Sequence, residues 1–257
     1  MKFNNRNIEL GSNVQLGKNV RIGDNTIIYD NVVIGDDAII SNNCIIGEPL
    51  NAYYHEPSYV NPLLSIGSNS LIRSHTIIYA GSEFGPYFQT GHHVTIRENT
   101  KAGSHCSFGS YNDIQGNCEI GNFCRFQSFV NIGQQSVIKD FVFIYPYVVL
   151  TNDPTPPSEN IKGVFIDAYA QVGAGTTVLP GIKIGKHALV GAATTLDIDL
   201  NDYQFATGAP AKLIGDVRKM PFFTDNQRHY PWPRNFSRGM PWQESGYEKW
   251  LAEQPNH

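Results

Sequence analysis

Residues 10–46 read LGSNVQLGKNVRIGDNTIIYDNVVIGDDAIISNNCII and repeat one pattern every six residues. An aliphatic residue opens each hexad, and glycine often follows it. The fourth position is Asn or Asp, and the fifth holds a small residue such as Val14, Ala38 or Cys44. A period of six matches neither the helix turn of 3.6 residues nor the two-residue alternation of an isolated strand. It indicates a solenoid in which neighbouring coils share one continuous core.

The same register continues along most of the chain, from Ile66 to Leu150 and from Ile166 to Leu196. Two segments interrupt it, residues 47–65 and residues 151–165, and both are rich in Pro, Asn and other residues typical of loops. We therefore expect each hexad to form a short strand and a turn, with Asn or Asp at the turn because these residues tolerate positive φ. The prediction is an all-β solenoid domain over residues 1–215 with two extruded loops.

Beyond residue 215 the repeat ends. Residues 216–257 contain all three tryptophans of the chain and several prolines. We predict a short helix at Gln243–Glu253 within this extension. Because a solenoid leaves its core open at each end, we expect residues 216–257 to cap the last coil.

Composition limits the classes of partner. The chain of 257 residues is 41% hydrophobic and 16% charged with a net charge of −4, as in soluble globular proteins. It lacks the excess of basic residues that nucleic-acid binding requires. It also lacks an apolar run long enough to span a membrane and an N-terminal signal peptide. We expect a cytoplasmic protein without membrane or nucleic-acid partners.

The four cysteines all fall in the fifth position of a hexad. That position points inward, so we interpret them as small core residues rather than as metal ligands or disulfide partners. No CxxC spacing is present, and no metal site is predicted. These residues are Cys44, Cys106, Cys118 and Cys124.

The histidines separate into two groups by position. His75, His93, His105 and His187 occupy the fourth position, where a corner residue with positive φ is the simplest interpretation. His92 alone occupies the third position, which points outward at the corner. Ser74 and Ser110 flank it one coil either side and would leave room around it. A solvated surface histidine is the alternative, but a reactive group is favoured.

The repeat over roughly residues 8–215 resembles the left-handed parallel β-helix of the hexapeptide-repeat acyltransferases. That resemblance implies three hexads and about 18 residues per coil, some nine coils, and a homotrimer with sites at subunit interfaces. Lipid A acyltransferases and bacterial amino-sugar N-acetyltransferases carry a catalytic histidine in the third position, which the stretch Thr90–Val94 matches. His92 would then act as the general base. His93 departs from the pattern and could be the base or orient it.

Within that family, five segments most resemble the N-acyltransferases of nucleotide-linked amino-dideoxyhexoses: IRSHTIIYAGSEFG, FQTGHHVTIREN, VFIYPYVVLTNDPTPP, TVLPGIKIGKHALVGAATTL and TGAPAKLIG. The implied reaction transfers an acyl group, most simply acetyl, from acyl-CoA to a dTDP-linked sugar amine for surface polysaccharides. Some relatives use no protein base, so substrate-assisted catalysis stays open. Ser82 is a weaker catalytic candidate because it also fits the small core position. The substrate-binding candidates are Asn152, Asp153, Glu98 and Asn112.

The resemblance also implies where coenzyme A binds. In the family it lies along late coils whose small residues allow close backbone approach. A cation near the AlaProAlaLys turn would meet the ribose phosphate, and Lys219 is an alternative partner there. The predicted cofactor-binding residues are Gly173, Ala174, Gly191, Ala192, Lys212 and Arg218.

Two other functions remain to be tested. A γ-type carbonic anhydrase shares the β-helix and binds zinc through three histidines, and His75 and His93 lie one coil apart. A third ligand at the required spacing is absent from the sequence. A non-enzymatic solenoid with a flat binding face would need regular rows of Thr, which the repeat does not have.

Overall fold

The computed structural model describes residues 4–220 and 230–254. In these residues the hexads form an all-β, left-handed parallel solenoid, as predicted. Each hexad contributes one strand, usually of two residues, and three hexads complete a coil. Thr95 therefore pairs with Asp113, 18 positions later, and Gln89 pairs with Ser107. The short strand-and-turn unit expected from the repeat is confirmed.

The strands stack into three sheets, which are numbered in the order that the chain visits them. The first sheet consists of Glu9–Leu10, Ile27–Ile28, Ile45–Glu48, Ile77–Tyr79, Thr95–Ile96, Asp113–Ile114, Asn131–Ile132, Val149–Leu150, Thr177–Val178 and Thr195–Leu196. The second consists of Gln15–Leu16, Val32–Ile34, Leu64–Ile66, Glu83–Phe84, Lys101–Ala102, Glu119–Ile120, Val137–Ile138, Phe165–Ile166 and Lys183–Ile184. The third consists of Arg21–Ile22, Ile39–Ile40, Leu71–Ile72, Gln89–Thr90, Ser107–Phe108, Arg125–Phe126, Phe143–Ile144, Gln171–Val172, Leu189–Val190, Gln204–Thr207 and Lys212–Asp216.

The first and fifth positions of the hexads fill the core. Ile28 and Ile46 are fully buried, and each such side chain contributes about 1.5–3 kcal/mol by leaving water. All four cysteines are fully buried as well, which confirms their interpretation as core residues. Leu10 and Leu16 are the exceptions, with 52% and 42% of their surface exposed. They belong to the first coil, where only one side meets another coil.

The turns between sheets form three corners, which we call 1–2, 2–3 and 3–1 after the sheets they join. The fourth position at these corners has positive φ, for example 55° at Asn25 and 55° at His93. Ring stacks connect successive coils at two of the corners. The 3–1 corner carries His75, His93, Tyr111, Phe129 and Tyr147; the 2–3 corner carries Tyr87, His105, Phe123, Phe141, Tyr169, His187 and Tyr203.

Both predicted insertions leave the solenoid at the 1–2 corner. The first contains a 3-10 turn at Asn51–Tyr54 and is anchored at its base by Asn61. The Asn61 amide, 7% exposed, donates hydrogen bonds to the carbonyl oxygens of Gly47 and Asp30 at 2.9 and 3.1 Å. The loop is therefore held firmly to the first sheet while its tip, with Tyr54, faces solvent.

Where it is described, the C-terminal extension packs against the side of the solenoid, and its capping of the last coil stays a prediction. Its helix spans only Tyr247–Ala252, and 3-10 turns lie at Val217–Lys219 and Trp232–Arg234. Trp232 and Trp242 pack sideways against the 2–3 corner, where they form one apolar cluster with Phe141 and Tyr169. Covering that stacked corner buries large aromatic surfaces, whereas Leu200 and Ala206 already fill the core at the end of the solenoid.

Two stretches of the predicted C-terminal extension lie outside the described residues. They are residues 221–229, which include His229, and residues 255–257, which include His257. No helix in the described part is long and apolar enough to cross a membrane.

Candidate active site

His92 lies at the 3–1 corner with its side chain exposed, as its third position predicts. Its Nδ1 atom is 2.8 Å from the Ser74 hydroxyl, one coil earlier. Its backbone N–H donates to the Ser110 hydroxyl, one coil later, at 3.0 Å. The two serines therefore hold His92 rather than merely leaving space around it. The Nε2 edge of the ring is left without a hydrogen-bond partner among the described residues.

The surroundings of His92 differ from those of several other third positions. At those positions the side chain accepts a hydrogen bond from the backbone N–H of the third position one coil earlier. Asn42 accepts from the N–H of Asp24 at 3.0 Å, and Asn122 from that of Ser104 at 2.8 Å. The His92 ring instead contacts a side-chain hydroxyl. Its role thus differs from coil-to-coil capping.

His93 is a packing residue. Its ring is sandwiched between those of His75 and Tyr111, with centroids 4.5 and 5.0 Å away and nearly parallel planes. The ring nitrogens of His75 and His93 therefore lie in separate, nearly parallel planes. Within residues 4–220 and 230–254, no three His, Cys, Asp or Glu side chains are grouped to hold a metal ion. The geometry gives the carbonic anhydrase alternative no support.

Ser82 and Asn112 were predicted as catalytic and substrate-binding residues, and the structure contradicts both assignments. Each occupies an inward fifth position and is 1% exposed. The Ser82 hydroxyl accepts from the N–H of Thr100 at 3.2 Å, and Asn112 accepts from the N–H of Val130 at 2.9 Å. Both side chains link neighbouring coils inside the prism, so neither reaches a substrate.

Glu98 and Asp153 are committed to local contacts at the 1–2 corner. Glu98 pairs with Arg97 at 2.7 Å, and that guanidinium also lies over the Tyr79 ring. Asp153 accepts hydrogen bonds from Ser158 and Thr155, and these bonds lower the pKa of its carboxyl group. Asp153 thereby fixes the shape of the second loop, and Asn152 precedes it half-buried. One chain does not bring these residues to the corner that carries His92.

Four of the six predicted cofactor residues come together. Gly173, Ala174, Gly191 and Ala192 line one cleft of about 700 Å³ on the third sheet. Gly173 cannot be larger, because a Cβ there would lie 2.6 Å from the backbone nitrogen of Ala192.

Sequence reasoning missed the aromatic and apolar part of this cleft. Tyr145 and Phe205 form part of its wall, and Gln171 donates a hydrogen bond to the Tyr145 hydroxyl at 3.0 Å. Met220 and Tyr230, which follow the solenoid in the chain, also line it. The hexad pattern could have placed Tyr145 and Gln171 on the outer face of the third sheet. Tyr230 lies beyond the repeat, so the pattern could not have placed it.

The two predicted cations differ in availability. Lys212 is exposed and pairs across the terminal hairpin with Thr207, which lines the cleft. Arg218 forms a two-pronged ion pair with Asp216, at 2.6 Å for the closest contact, and stacks on Tyr203. Its charge is therefore already balanced, and it faces the 2–3 corner. These contacts make Lys212 the more available cation, and the assignment of Arg218 to the cofactor stays a prediction.

Comparison with known proteins agrees with this architecture. Residues 8–48 match the family model described as bacterial transferase hexapeptide (six repeats). The match shows that repeat in residues 8–48. The solved structure of Arabidopsis UDP-N-acetylglucosamine acyltransferase superposes with a TM-score of 0.65 at 14% identity, covering 81% of this chain and 72% of that one. This likeness establishes a shared fold.

The curated relatives include acetyltransferases. A galactoside O-acetyltransferase of Lactococcus lactis is 35% identical over 24% of this chain and 30% of its own length. A dTDP-3-amino-3,6-dideoxy-alpha-D-galactopyranose 3-N-acetyltransferase of Aneurinibacillus thermoaerophilus is 33% identical over 27% of this chain and 38% of its own. The chain spans only 30% to 53% of the length of the curated relatives it matches.

Proposed function

We propose that this protein is an N-acyltransferase that moves an acetyl group from acetyl-CoA to the amine of a nucleotide-linked amino-dideoxyhexose. The observation that carries the proposal is the exposed His92 ring at the 3–1 corner, in line with the cleft of small residues. Strand register puts Ser110, Ser128, Pro146 and Ala174 at the equivalent position of successive coils. Ala174 lies four coils after His92, and a spacing of about 4.8 Å per coil places the two residues about 19 Å apart.

That separation suits a coenzyme A molecule laid along the corner. Its nucleotide end would occupy the cleft beside Ala174 and Ala192, with Lys212 near a phosphate. The extended pantetheine arm would then carry the thioester toward His92. Gly173, Ala174, Gly191 and Ala192 leave room in the cleft, because larger side chains at these positions would fill it.

The chemistry follows from the exposed Nε2 atom of His92. A sugar amine attacking the thioester carbonyl must lose a proton, and Nε2 is free to take it. The carbon–sulfur bond then breaks, and the coenzyme A thiolate leaves and is protonated from solvent. Substrate-assisted transfer of the amine proton to the thiolate is the alternative route to the same products.

The acceptor class is supported by the Aneurinibacillus relative, whose substrate carries a 3-amino group on a dTDP sugar. The Lactococcus relative acts on a hydroxyl and favours a second candidate, O-acetyl transfer to a sugar. The decisive experiment supplies acetyl-CoA with dTDP-3-amino-3,6-dideoxygalactose, the matching 3-hydroxy sugar nucleotide, or a free galactoside. Thiol release and product mass are measured. Acetylation of the hydroxyl acceptors alone would overturn N-acyl transfer.

We further propose that the protein works as a homotrimer and that the two loops of the 1–2 corner reach the site of a neighbouring copy. His92 stands exposed and does not line the cleft of Ala174 and Ala192 in one chain. Tyr111 and Tyr147, on the same corner, are 52% and 61% exposed. A second copy packed against this corner would cover the rings and close the site.

A further inference from the structure

We infer that Ser74 is a positioning residue for His92: its hydroxyl accepts the proton on Nδ1 and so keeps Nε2 unprotonated and facing the substrate. The inference rests on the proposed function, because it assigns a task to a base that the proposed reaction uses. It gives Ser74 a task beyond the space that the hexad pattern indicated around His92.

The first argument is the geometry of the contact. The Ser74 Oγ atom is 2.8 Å from Nδ1, a short hydrogen bond. The N–H of His92 is fixed independently by Ser110. His92 is therefore held at its backbone and at one ring nitrogen, and rotation of the ring would break the bond to Ser74.

The second argument is that this contact is unlike those of the other histidines. His93, His105 and His187 are held by ring stacking above and below. Across residues 4–220 and 230–254, His92 is the one histidine whose ring makes a hydrogen bond. Packing a corner histidine thus does not require a hydroxyl partner, so the Ser74 contact calls for another explanation.

The third argument concerns the direction of the hydrogen bond. A hydroxyl can donate to Nδ1 or accept from it. If Ser74 donated, Nδ1 would be occupied and Nε2 would carry the ring proton, which leaves neither nitrogen able to take a proton from an amine. A base at His92 therefore requires Ser74 to accept. The same bond becomes charge-assisted when Nε2 is protonated, which stabilises the imidazolium formed during the reaction.

The direct test is the tautomer of His92, measured from the nitrogen-15 chemical shifts of its ring at a pH where it is neutral. A His92→Asn spectrum assigns the signals. We expect a proton on Nδ1 in the native protein and predominantly on Nε2 in Ser74→Ala, with Ser74→Thr restoring the native pattern. A native ring with its proton on Nε2 would overturn the inference regardless of activity.

The kinetic test uses the same variants. Ser74→Ala should lower kcat by about 10- to 100-fold, the size expected for one hydrogen bond to a charged group, with little change in the KM for acetyl-CoA. Ser74→Thr should recover most of the rate. Ser104→Ala is the matched control, because Ser104 occupies the same hexad position at a different corner and bonds to Asn122 instead.

The outcomes separate the two proposals. If His92→Ala abolishes activity while Ser74→Ala keeps the native rate, Ser74 has no positioning role and the proposed function stands. If His92→Ala stays active, the base in the proposed function fails, and the tautomer measurement alone decides whether Ser74 holds the ring.

Discussion

His92 and His93 are neighbours in sequence, yet their rings have different surroundings. The turn gives His93 a positive φ and stacks its ring between two others, so its faces are occupied by packing. His92 precedes the turn residue and projects outward, with Ser74 on one nitrogen. One position in the hexad therefore separates a residue that packs from a residue that can react.

The difference predicts opposite outcomes for two substitutions. His92→Ala should lower kcat by about 10²- to 10⁴-fold, the usual contribution of a general base, and leave the affinity for coenzyme A almost unchanged. His93→Phe should keep most of the activity, because Phe already occupies this stack at Phe129. A larger loss of kcat in His93→Phe than in His92→Ala would indicate that His93 is the base and that His92 is the packing residue. Steady-state rates and calorimetric binding provide the measurements.

His187 predicts a pH dependence of stability that is separate from catalysis. It is 8% exposed in the 2–3 stack, and burial, with nearby Lys186 adding to the effect, lowers its pKa to about 4. In the unfolded state His187 has a pKa of about 6.5 and binds a proton first as pH falls. The contribution of the buried, neutral ring to the free energy of unfolding is therefore complete above about pH 6.5 and is lost progressively below it. Between pH 7.5 and pH 5 the loss is about 2 kcal/mol.

His187→Phe should remove that dependence, since Phe fits the stack and does not titrate. Urea unfolding at pH 7.5 and pH 5 measures the difference for the native protein and the variant. If the free energy of unfolding falls equally between pH 7.5 and pH 5 in both proteins, groups other than His187 dominate its pH dependence.

At the scale of elements, the late strands of the third sheet combine two tasks. Their inward residues continue the core, and their outward glycine and alanine residues leave the cleft open. The terminal hairpin, Gln204–Thr207 with Lys212–Asp216, extends this sheet and brings Thr207 and Lys212 to the edge of the cleft. Arg218 follows the hairpin but turns back onto Asp216 and Tyr203.

Lys212→Ala should therefore weaken coenzyme A binding about 5- to 10-fold, the loss expected for one exposed contact between a cation and a phosphate. Arg218→Ala should change the affinity much less. Lys183→Ala is the control, because Lys183 lies on the second sheet and outside the cleft. Isothermal titration calorimetry gives the three affinities. An unchanged value for Lys212→Ala would remove Lys212 from the site.

At the scale of the whole molecule, the candidate groups divide between two corners. His92 and the cleft share the 3–1 corner, whereas Glu98, Asn152 and Asp153 lie at the 1–2 corner. Side chains on different corners of one rigid solenoid cannot come into contact through a small movement. A neighbouring copy that presents its 1–2 corner would bring them together, and closed cyclic symmetry repeats that contact at every interface.

A mixing experiment tests this arrangement. Chains with His92→Ala and chains with Asn152→Ala and Asp153→Ala together should each be inactive, while co-expression should restore activity at about a quarter of the sites in randomly mixed trimers. Solution mass should equal three times the chain mass of 28.6 kDa. A monomeric mass, or no recovery on mixing, would contradict shared sites. The His92→Ala protein expressed alone gives the baseline activity.

The sequence alone determined the fold because the hexad is a local code that every coil repeats. It fixed which residues point inward, placed the cysteines in the core, located both loops and separated His92 from the corner histidines. What it left open depends mostly on contacts between residues far apart in the chain. The inward position of Ser82 was readable, but its carry-over as a catalytic residue depended on a resemblance. Only tertiary structure decided the hydrogen bond between Ser74 and His92 and the docking of the extension on the side of the solenoid. Both depend on which side chains packing brings together and on which surface buries most apolar area.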